Sequence, residues 1–301
     1  MKTFLIISIL AIFAHGAYAQ SAGTYKGHNV SGVNWHAMTT APCAWSVPLQ
    51  TADHHLDVGR TIKLLKQAGF TCEVAVISGD ATRTWEEFKT FAAAANAAGI
   101  DLWPVLLPPS EGTSPPYAHD YVAWIQALAK LSLQFPHLRG VNIDDLDQGI
   151  SPKTFTRDYV CQIYSAKQQV NSKLLFVPTI YDLDRKVADR LAGCVDGTWL
   201  WWVNLEKATG LPAFLENSKL AADGRFPIYG GVYAHWTTWH KQGNPVPTVF
   251  TETLTDSCEH SDGAIIWNLS LQPDPLLSVA KTFMRGGSSP LAGKCGQGAG
   301  R

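Results

Sequence analysis

Three acidic side chains fall within the segment Gly-Val-Asn-Ile-Asp-Asp-Leu-Asp, residues 140–147. Successive residues of an extended strand point to opposite faces, so Asn142 and Asp144 share one face and the apolar residues share the other. Burying a polar side chain costs free energy unless it is satisfied, so this pattern indicates a site. Repulsion between Asp144 and Asp145 raises the pKa of one of them, which makes that carboxyl a candidate proton donor.

The elements that position this segment are predicted by an alternation of apolar runs with segments of helical period. Near-continuous apolar runs are typical of parallel strands buried on both faces. Eight strand–helix pairs predict an α/β fold, a single (β/α)8 TIM barrel. A doubly wound open sheet is the alternative, although no G-x-G-x-x-G follows the first strand. The strand-like runs are residues 31–38, 72–78, 101–107, 138–144, 174–181, 198–204, 227–234 and 264–268.

Helix boundaries are also marked in the sequence. Thr84 and Glu87 form a capping box that begins one helix, and Gly69 ends the helix before it. Ser151 followed by Pro152 predicts an N-cap with proline at the first helical position. One apolar stripe follows it, made of Phe155, Tyr159, Ile163, Ala166 and Val170.

Polar and aromatic residues gather at the predicted strand ends, where a TIM barrel carries its site. We expect Asp144 and Asp145 to carry the chemistry, with a partner from Asp182, Glu206 or Asp80. We also expect the segment 233–244 to form a loop over the mouth, with two tryptophans as sugar platforms. The candidate substrate-binding residues are Asn34, His36, Asp80, Asn142, Tyr181, Asn204, Tyr233, His235, Trp236 and Trp239.

Several of these residues also have a purely structural interpretation. Asp145 and Asp147 are of the type that caps a turn before a helix, and Asp182 is a candidate turn or cap residue. His36 and His235 could be satisfied histidines of the core. These alternatives stay open on the sequence alone.

Paired carboxylates with aromatic and amide side chains at a barrel mouth are the groups that glycoside hydrolysis uses. The sequence contains no G-x-S-x-G motif, so it gives no indication of a serine nucleophile. The segment 140–147 resembles secreted TIM-barrel proteins of the glycoside-hydrolase type, several of which carry an acidic catalytic residue after the fourth strand. Asp144 and Asp145 stand where the cellulase-like clan has Asn-Glu, and His235 stands where that clan has a glutamate. The D-x-x-D-x-D-x-E motif of chitinase-like barrels is missing too, so the resemblance implies the class and no particular family.

The hypotheses therefore differ in class. The first is a glycosidase that cleaves a polysaccharide or oligosaccharide without a cofactor. The second is a non-catalytic barrel that binds carbohydrate through the same cleft. The third is a metal-assisted hydrolase or phosphodiesterase that uses Asp144, Asp145 and a histidine as ligands.

The composition and the chain ends predict the setting. The 301 residues have a net charge of −1, which argues against a nucleic-acid partner or a polybasic membrane contact. A short apolar run and a small-residue cleavage pattern predict a signal peptide over residues 1–19 and cleavage before Gln20. We expect a barrel over 20–285, a flexible tail over 286–301, and a monomer that is secreted outside the cell or into the periplasm.

The six cysteines favour disulfides, since an even count is typical of exported proteins. We expect at least two. Cys161 and Cys194 fall on adjacent outer helices, which makes them the favoured pair. A second pair, Cys258 with Cys295, would attach the tail to the helix before the eighth strand.

Overall fold

The computed structural model describes residues 42–203, 209–235 and 244–284. Within these ranges no helix is long and apolar enough to cross a membrane. The strands are β1 Cys43–Ser46, β2 Cys72–Ile77, β3 Asp101–Leu106, β4 Gly140–Ile143, β5 Leu175–Phe176, β6 Thr179–Ile180, β7 Thr198–Trp201, β8 Ile228–Tyr233 and β9 Ala264–Leu269. The helices are α1 Val58–Ala68, α2 Trp85–Ala98, α3 Tyr121–Gln134, α4 Ser151–Thr154, α5 Arg157–Val170, α6 Arg185–Leu191, α7 Leu211–Ala222, α8 Pro247–His260 and α9 Pro275–Met284.

All the strand pairings are parallel, and the order in the sheet is β5-β4-β3-β2-β1-β9-β8-β7-β6. The two strands at the ends of this order, β5 and β6, are consecutive in the chain. Together they fill one strand position between β4 and β7, so the sheet closes on itself. The prediction of a (β/α)8 barrel is confirmed.

The fifth strand position is split, where the sequence predicted one strand over 174–181. Pro178 interrupts it, because proline has no N–H group for the ladder. Hydrogen bonds on either side still close the barrel. The Val177 N–H donates to the Val141 carbonyl at 2.9 Å, and the Trp199 N–H donates to the Pro178 carbonyl at 2.9 Å.

The strand between β2 and β9 is the short β1, Cys43–Ser46, which the apolar pattern did not predict. The predicted first strand, 31–38, lies outside the described residues. A four-residue strand is too short to show a periodic signal. In the closed barrel β1 nevertheless pairs with a strand on each side, β2 and β9.

Aromatic side chains fill the barrel interior. Trp103 lies against Gly140, where an added Cβ would stand 2.1 Å from the indole ring, and Trp201 lies against Gly231 at the same distance. Only glycine permits this approach, so the two glycines make room for the rings. The interior tryptophans are Trp45, Trp103, Trp199 and Trp201.

The helices cover the outer face of the sheet. The predicted capping box begins α2, where the Thr84 hydroxyl accepts from the Glu87 N–H. The predicted start at Ser151 is wrong for the long helix. Residues 151–154 form the separate short α4, and α5 begins at Arg157 with Thr156 as its N-cap. The helix is interrupted between them because Thr156 takes an extended conformation, and its hydroxyl accepts a hydrogen bond from the Tyr159 N–H.

The favoured disulfide, Cys161–Cys194, is confirmed, and it joins α5 to the turn after α6. A second disulfide, Cys43–Cys72, joins β1 to β2. Cys258 is also disulfide-bonded, and its predicted partner Cys295 lies outside the described residues.

A buried ion pair supports β5 from the helix layer. Lys167 Nζ lies 2.6 Å from Asp196 Oδ2 and donates to the Leu174 carbonyl at 2.7 Å. The same carboxylate oxygen accepts the Phe176 N–H at 2.8 Å. A buried charge is tolerated when it is paired and hydrogen bonded, as this lysine is.

Glu73 is a buried carboxyl on the helix-facing side of β2. Its side chain is 2% exposed. Oε1 accepts from both the N–H and the hydroxyl of Ser46, while Oε2 has no partner among the described residues. Burial raises the pKa of Glu73 to about 8. The folded protein therefore holds this group protonated at neutral pH.

The raised pKa of Glu73 predicts a pH-dependent loss of stability. The unfolded chain ionises at the ordinary glutamate pKa and the folded chain only near pH 8, so stability falls as the pH rises between these values. The full loss attributable to this group is about 5 kcal/mol. In Glu73→Gln the side chain keeps its acceptor for Ser46 and cannot ionise. We expect its free energy of unfolding to exceed that of the wild type increasingly from pH 5 to about 8.

Urea unfolding at several pH values measures this difference. Glu86→Gln, on the exposed face of α2, is the control and should follow the wild-type curve. Parallel curves for Glu73→Gln and the wild type would show that Glu73 is not protonated in the folded protein.

Candidate active site

Asp144 and Asp145 follow β4 at the carboxyl end of the barrel. The Asp144 N–H donates to the Leu106 carbonyl at 3.0 Å and so extends the pairing with β3. Asp145 has a φ of +47°, in the left-handed region that aspartate tolerates better than most residues. Its N–H donates to Asp144 Oδ1 at 3.1 Å. The turn therefore holds the two carboxyls together at the mouth, with Asp144 half-buried and Asp145 9% exposed.

Asn142 and Thr179 form the floor beneath this pair. The fully buried Asn142 amide donates to the Val177 carbonyl at 2.6 Å and to the Thr179 hydroxyl at 3.0 Å. The Thr179 hydroxyl is also hydrogen bonded to the Asp144 carboxyl. Alternation along β4 is as predicted, since the neighbours Val141 and Ile143 pack in the helix-facing core.

Burial raises the pKa of both carboxyls, and a neighbouring acid adds to the rise in each, Asp145 for Asp144 and Asp147 for Asp145. The pKa of Asp144 lies well above its usual range, because of burial first, then the charge of Asp145 and then that of Glu111. Burial also raises the pKa of Asp145, and a hydrogen bond from Tyr181 opposes this. Asp144 is therefore the group that holds a proton, and Asp145 the group that Tyr181 helps to ionise.

Two tyrosines and two tryptophans form an aromatic wall beside the pair. The hydroxyls of Tyr181 and Tyr233 are hydrogen bonded to each other, and burial together with the two nearby aspartates raises the pKa of both. The Tyr233 ring lies 5.2 Å from Trp201 and 5.5 Å from the half-buried Trp267, measured between centroids. Trp267 belongs to this wall although the search of strand ends did not select it.

Glu111 is a third carboxyl of the site that sequence reasoning missed. It lies in the loop after β3, where its N–H donates to the Pro108 carbonyl at 3.1 Å. The residue as a whole is exposed, but surrounding atoms partly shield its carboxyl from water. This shielding and then the charge of Asp145 raise the pKa of Glu111. The available signal was an acid in the middle of the Pro- and Ser-rich loop after the third strand, which a search limited to strand ends does not reach.

Asp147 has a structural role at a different turn from the one the sequence indicated. Its Oδ2 accepts the N–H groups of Tyr181 and Asp182, each at 3.0 Å. It therefore fixes the chain after β6 and with it the position of Tyr181. Asp182 is exposed, and the described contact that holds it is this backbone hydrogen bond to Asp147.

The remaining predicted residues divide between the rim and the parts outside the described chain. Asp80 is exposed and accepts from the Thr82 N–H and hydroxyl, both at 3.0 Å, and these bonds lower its pKa. His235 is exposed, so it is not a core histidine. No group of three His, Cys, Asp or Glu side chains within 42–203, 209–235 and 244–284 is arranged to hold a metal ion. Outside the described residues lie Asn34, His36, Asn204, Glu206, Trp236 and Trp239.

No protein-family model matches the chain, and no curated protein sequence matches it either. Solved structures do match the chain in fold. A GH113 β-1,4-mannanase has a TM-score of 0.56 at 10% identity, over 82% of this chain and 98% of that one. Cel5A of Thermotoga maritima, solved with cellobiose, has a TM-score of 0.57 at 10% identity over 82% and 98%.

A GH99 endo-α-mannosidase from Bacteroides thetaiotaomicron has a TM-score of 0.53 at 11% identity, over 77% of this chain and 80% of that one. At these identities the similarity concerns the fold. The chain has the TIM-barrel fold of these glycoside hydrolases, and no single family is assigned.

Proposed function

We propose that this chain is a glycoside hydrolase that cleaves a polysaccharide or oligosaccharide with Asp144 and Asp145. The observation that carries the proposal is the half-buried Asp144, whose pKa is held well above its usual range at the carboxyl end of the barrel. Glycosidic cleavage needs a protonated carboxyl that donates to the leaving oxygen, and negative charge nearby stabilises the transition state. The aromatic wall of Tyr181, Tyr233 and Trp267 supports a sugar ligand.

In the proposed reaction Asp144 gives its proton to the glycosidic oxygen as the bond to the anomeric carbon breaks. Positive charge develops on that carbon and on the ring oxygen, and the Asp145 carboxylate stabilises it. Tyr181 favours this role because its hydroxyl bonds the Asp145 carboxylate. The structural neighbours act on differently linked sugars, so they support a carbohydrate class and no particular linkage.

The proposed setting is extracellular or periplasmic, for a monomer that acts without a cofactor. Residues 1–19 would be removed as a signal peptide, 20–285 would form the catalytic barrel, and 286–301 would be a tail. The disulfides Cys43–Cys72 and Cys161–Cys194 support this setting, because disulfides persist in oxidising compartments.

Hydrolysis of a glycan by the purified protein tests the proposal. A broad polysaccharide panel with product analysis should reveal a substrate. Asp144→Asn and Asp145→Asn should each lower turnover about 100- to 10,000-fold, because one removes the proton donor and the other removes the stabilising charge. Asp158→Asn, on the exposed face of α5, is the matched control and should keep wild-type turnover.

Circular dichroism and melting of the variants should stay near wild type. If both variants retain near-normal turnover, the acidic pair is structural and the proposal is wrong. Glycan binding without hydrolysis by the wild type would instead favour the non-catalytic carbohydrate-binding barrel.

The pKa shifts predict the pH dependence of kcat/KM. Activity should fall at high pH as Asp144 loses its proton, at a pH above the ordinary aspartate range. It should fall at low pH as Asp145 becomes protonated. Tyr181→Phe removes a hydrogen bond that stabilises the Asp145 carboxylate, so its acidic limb should move to higher pH.

Initial rates over a pH series measure both limbs. Tyr159→Phe, on the outer helix α5, serves as the control and should leave the profile in place. An unchanged acidic limb in Tyr181→Phe would mean that Asp145 does not control it.

A further inference from the structure

We propose that Glu111 is the second catalytic carboxyl of the site, which faces Asp144 across the mouth and acts at the anomeric carbon. This inference rests on the proposed glycoside hydrolase function. It assigns to Glu111 the role of nucleophile or base, and it leaves Asp145 as the charge that stabilises the transition state.

The geometry of Asp144 and Asp145 is the first reason. Glycosidic cleavage uses two carboxyls on opposite sides of the scissile bond, about 5–5.5 Å apart in retaining enzymes and about 6.5–9.5 Å in inverting ones. Asp144 and Asp145 are consecutive residues on one strand end, and the Asp145 N–H is bonded to Asp144 Oδ1 at 3.1 Å. Asp145 is 9% exposed and bonded to Tyr181. Two carboxyls on one turn in this way are not placed on opposite sides of a scissile bond.

The placement of Glu111 is the second reason. Its loop leaves β3 beside the strand end that carries Asp144, since the Leu106 carbonyl accepts the Asp144 N–H. Glu111 is close enough to both aspartates for their charges to act on one another. It lies in the loop after β3 and not in the turn after β4, so it can approach the pair from another side. Its exposed side chain leaves it accessible to a ligand.

The loop is built to hold this position. The Glu111 N–H closes a turn on the Pro108 carbonyl. The Ser114 hydroxyl donates to the Ile77 carbonyl at 2.7 Å, which joins the loop to the end of β2. The Tyr121 hydroxyl donates to the Leu107 carbonyl at 2.7 Å and fixes the start of the loop. A carboxyl on such an anchored turn is pre-positioned for the reaction.

The reaction balances as the addition of water across the glycosidic bond. The Asp144 proton passes to the glycosidic oxygen, which keeps the electron pair of the broken bond and leaves as an alcohol. The Glu111 carboxylate either bonds the anomeric carbon, to form an ester that water later hydrolyses, or takes a proton from the water that attacks that carbon. The ionised Glu111 and the protonated Asp144 are the states that this step requires.

Kinetics of Glu111 variants test the assignment on a glycan that the wild type hydrolyses. Glu111→Gln should lower kcat at least about 100-fold, with a smaller change in KM. Sodium azide or formate should restore turnover in Glu111→Ala, because a small external nucleophile or base can occupy the vacated space. Glu86→Gln, on the exposed face of α2, is the matched control and should match the wild type.

Carbon-13 NMR of the side-chain carboxyls tests the placement without a substrate. In Glu111→Gln the pKa of Asp144 should fall by up to about one unit, because a neighbouring negative charge is removed. In Glu86→Gln it should not change. An unchanged Asp144 titration in Glu111→Gln would overturn the placement.

The kinetic outcomes separate the two proposals. If the wild type hydrolyses a glycan and Glu111→Gln keeps near wild-type kcat, the role of Glu111 is wrong while the proposed function stands. A fall in kcat that neither azide nor formate relieves also overturns it, since Glu111 would then only position the pair. If the wild type hydrolyses none of the glycans, the proposed function fails and this inference fails with it.

Discussion

The hydrogen bonds of Asn142 across the split fifth strand connect the closure of the barrel to the site. The strand is interrupted at Pro178, and the Asn142 amide bonds the Val177 carbonyl at this break and the Thr179 hydroxyl just beyond it. Thr179 in turn bonds the Asp144 carboxyl. The contact that holds the fifth strand to the fourth therefore also fixes the floor on which Asp144 rests. Asn142, a polar residue on the inner face of β4, is satisfied because both of its hydrogen-bond partners, Val177 and Thr179, belong to the strand position that closes the barrel.

Dense apolar packing lies below that floor. Tryptophan rings fill the interior, and two of them fit because Gly140 and Gly231 have no side chain at the point of contact. An interior filled in this way leaves little space for water, and low polarity disfavours charged carboxyls. This environment explains why burial is the largest cause of the raised pKa of Asp144. The packing that fills the core therefore also raises the pKa of Asp144.

Much of this arrangement could be predicted from the sequence, where the signal was periodic. The alternation of runs predicted the barrel, and period two along β4 correctly placed Asn142 and Asp144 on the inner face. Features without a period were missed. Four residues cannot show alternation, which hid β1, and a single proline split the fifth strand within an otherwise apolar run. Glu111 and Asp147 lie in loops, and the distance between two loops is set by the closed barrel and not by local sequence.

The disulfide between Cys161 and Cys194 encloses a covalent ring of chain that contains the whole split strand, together with Thr179 and Tyr181. Exposed connections inside this ring, such as Ser172 and Lys173, are the places where a protease is expected to cut. While the bridge is intact, a cut there cannot release either fragment. One side of the mouth would then survive as two chain pieces tied at a fixed point, and only reduction together with cleavage would let them separate.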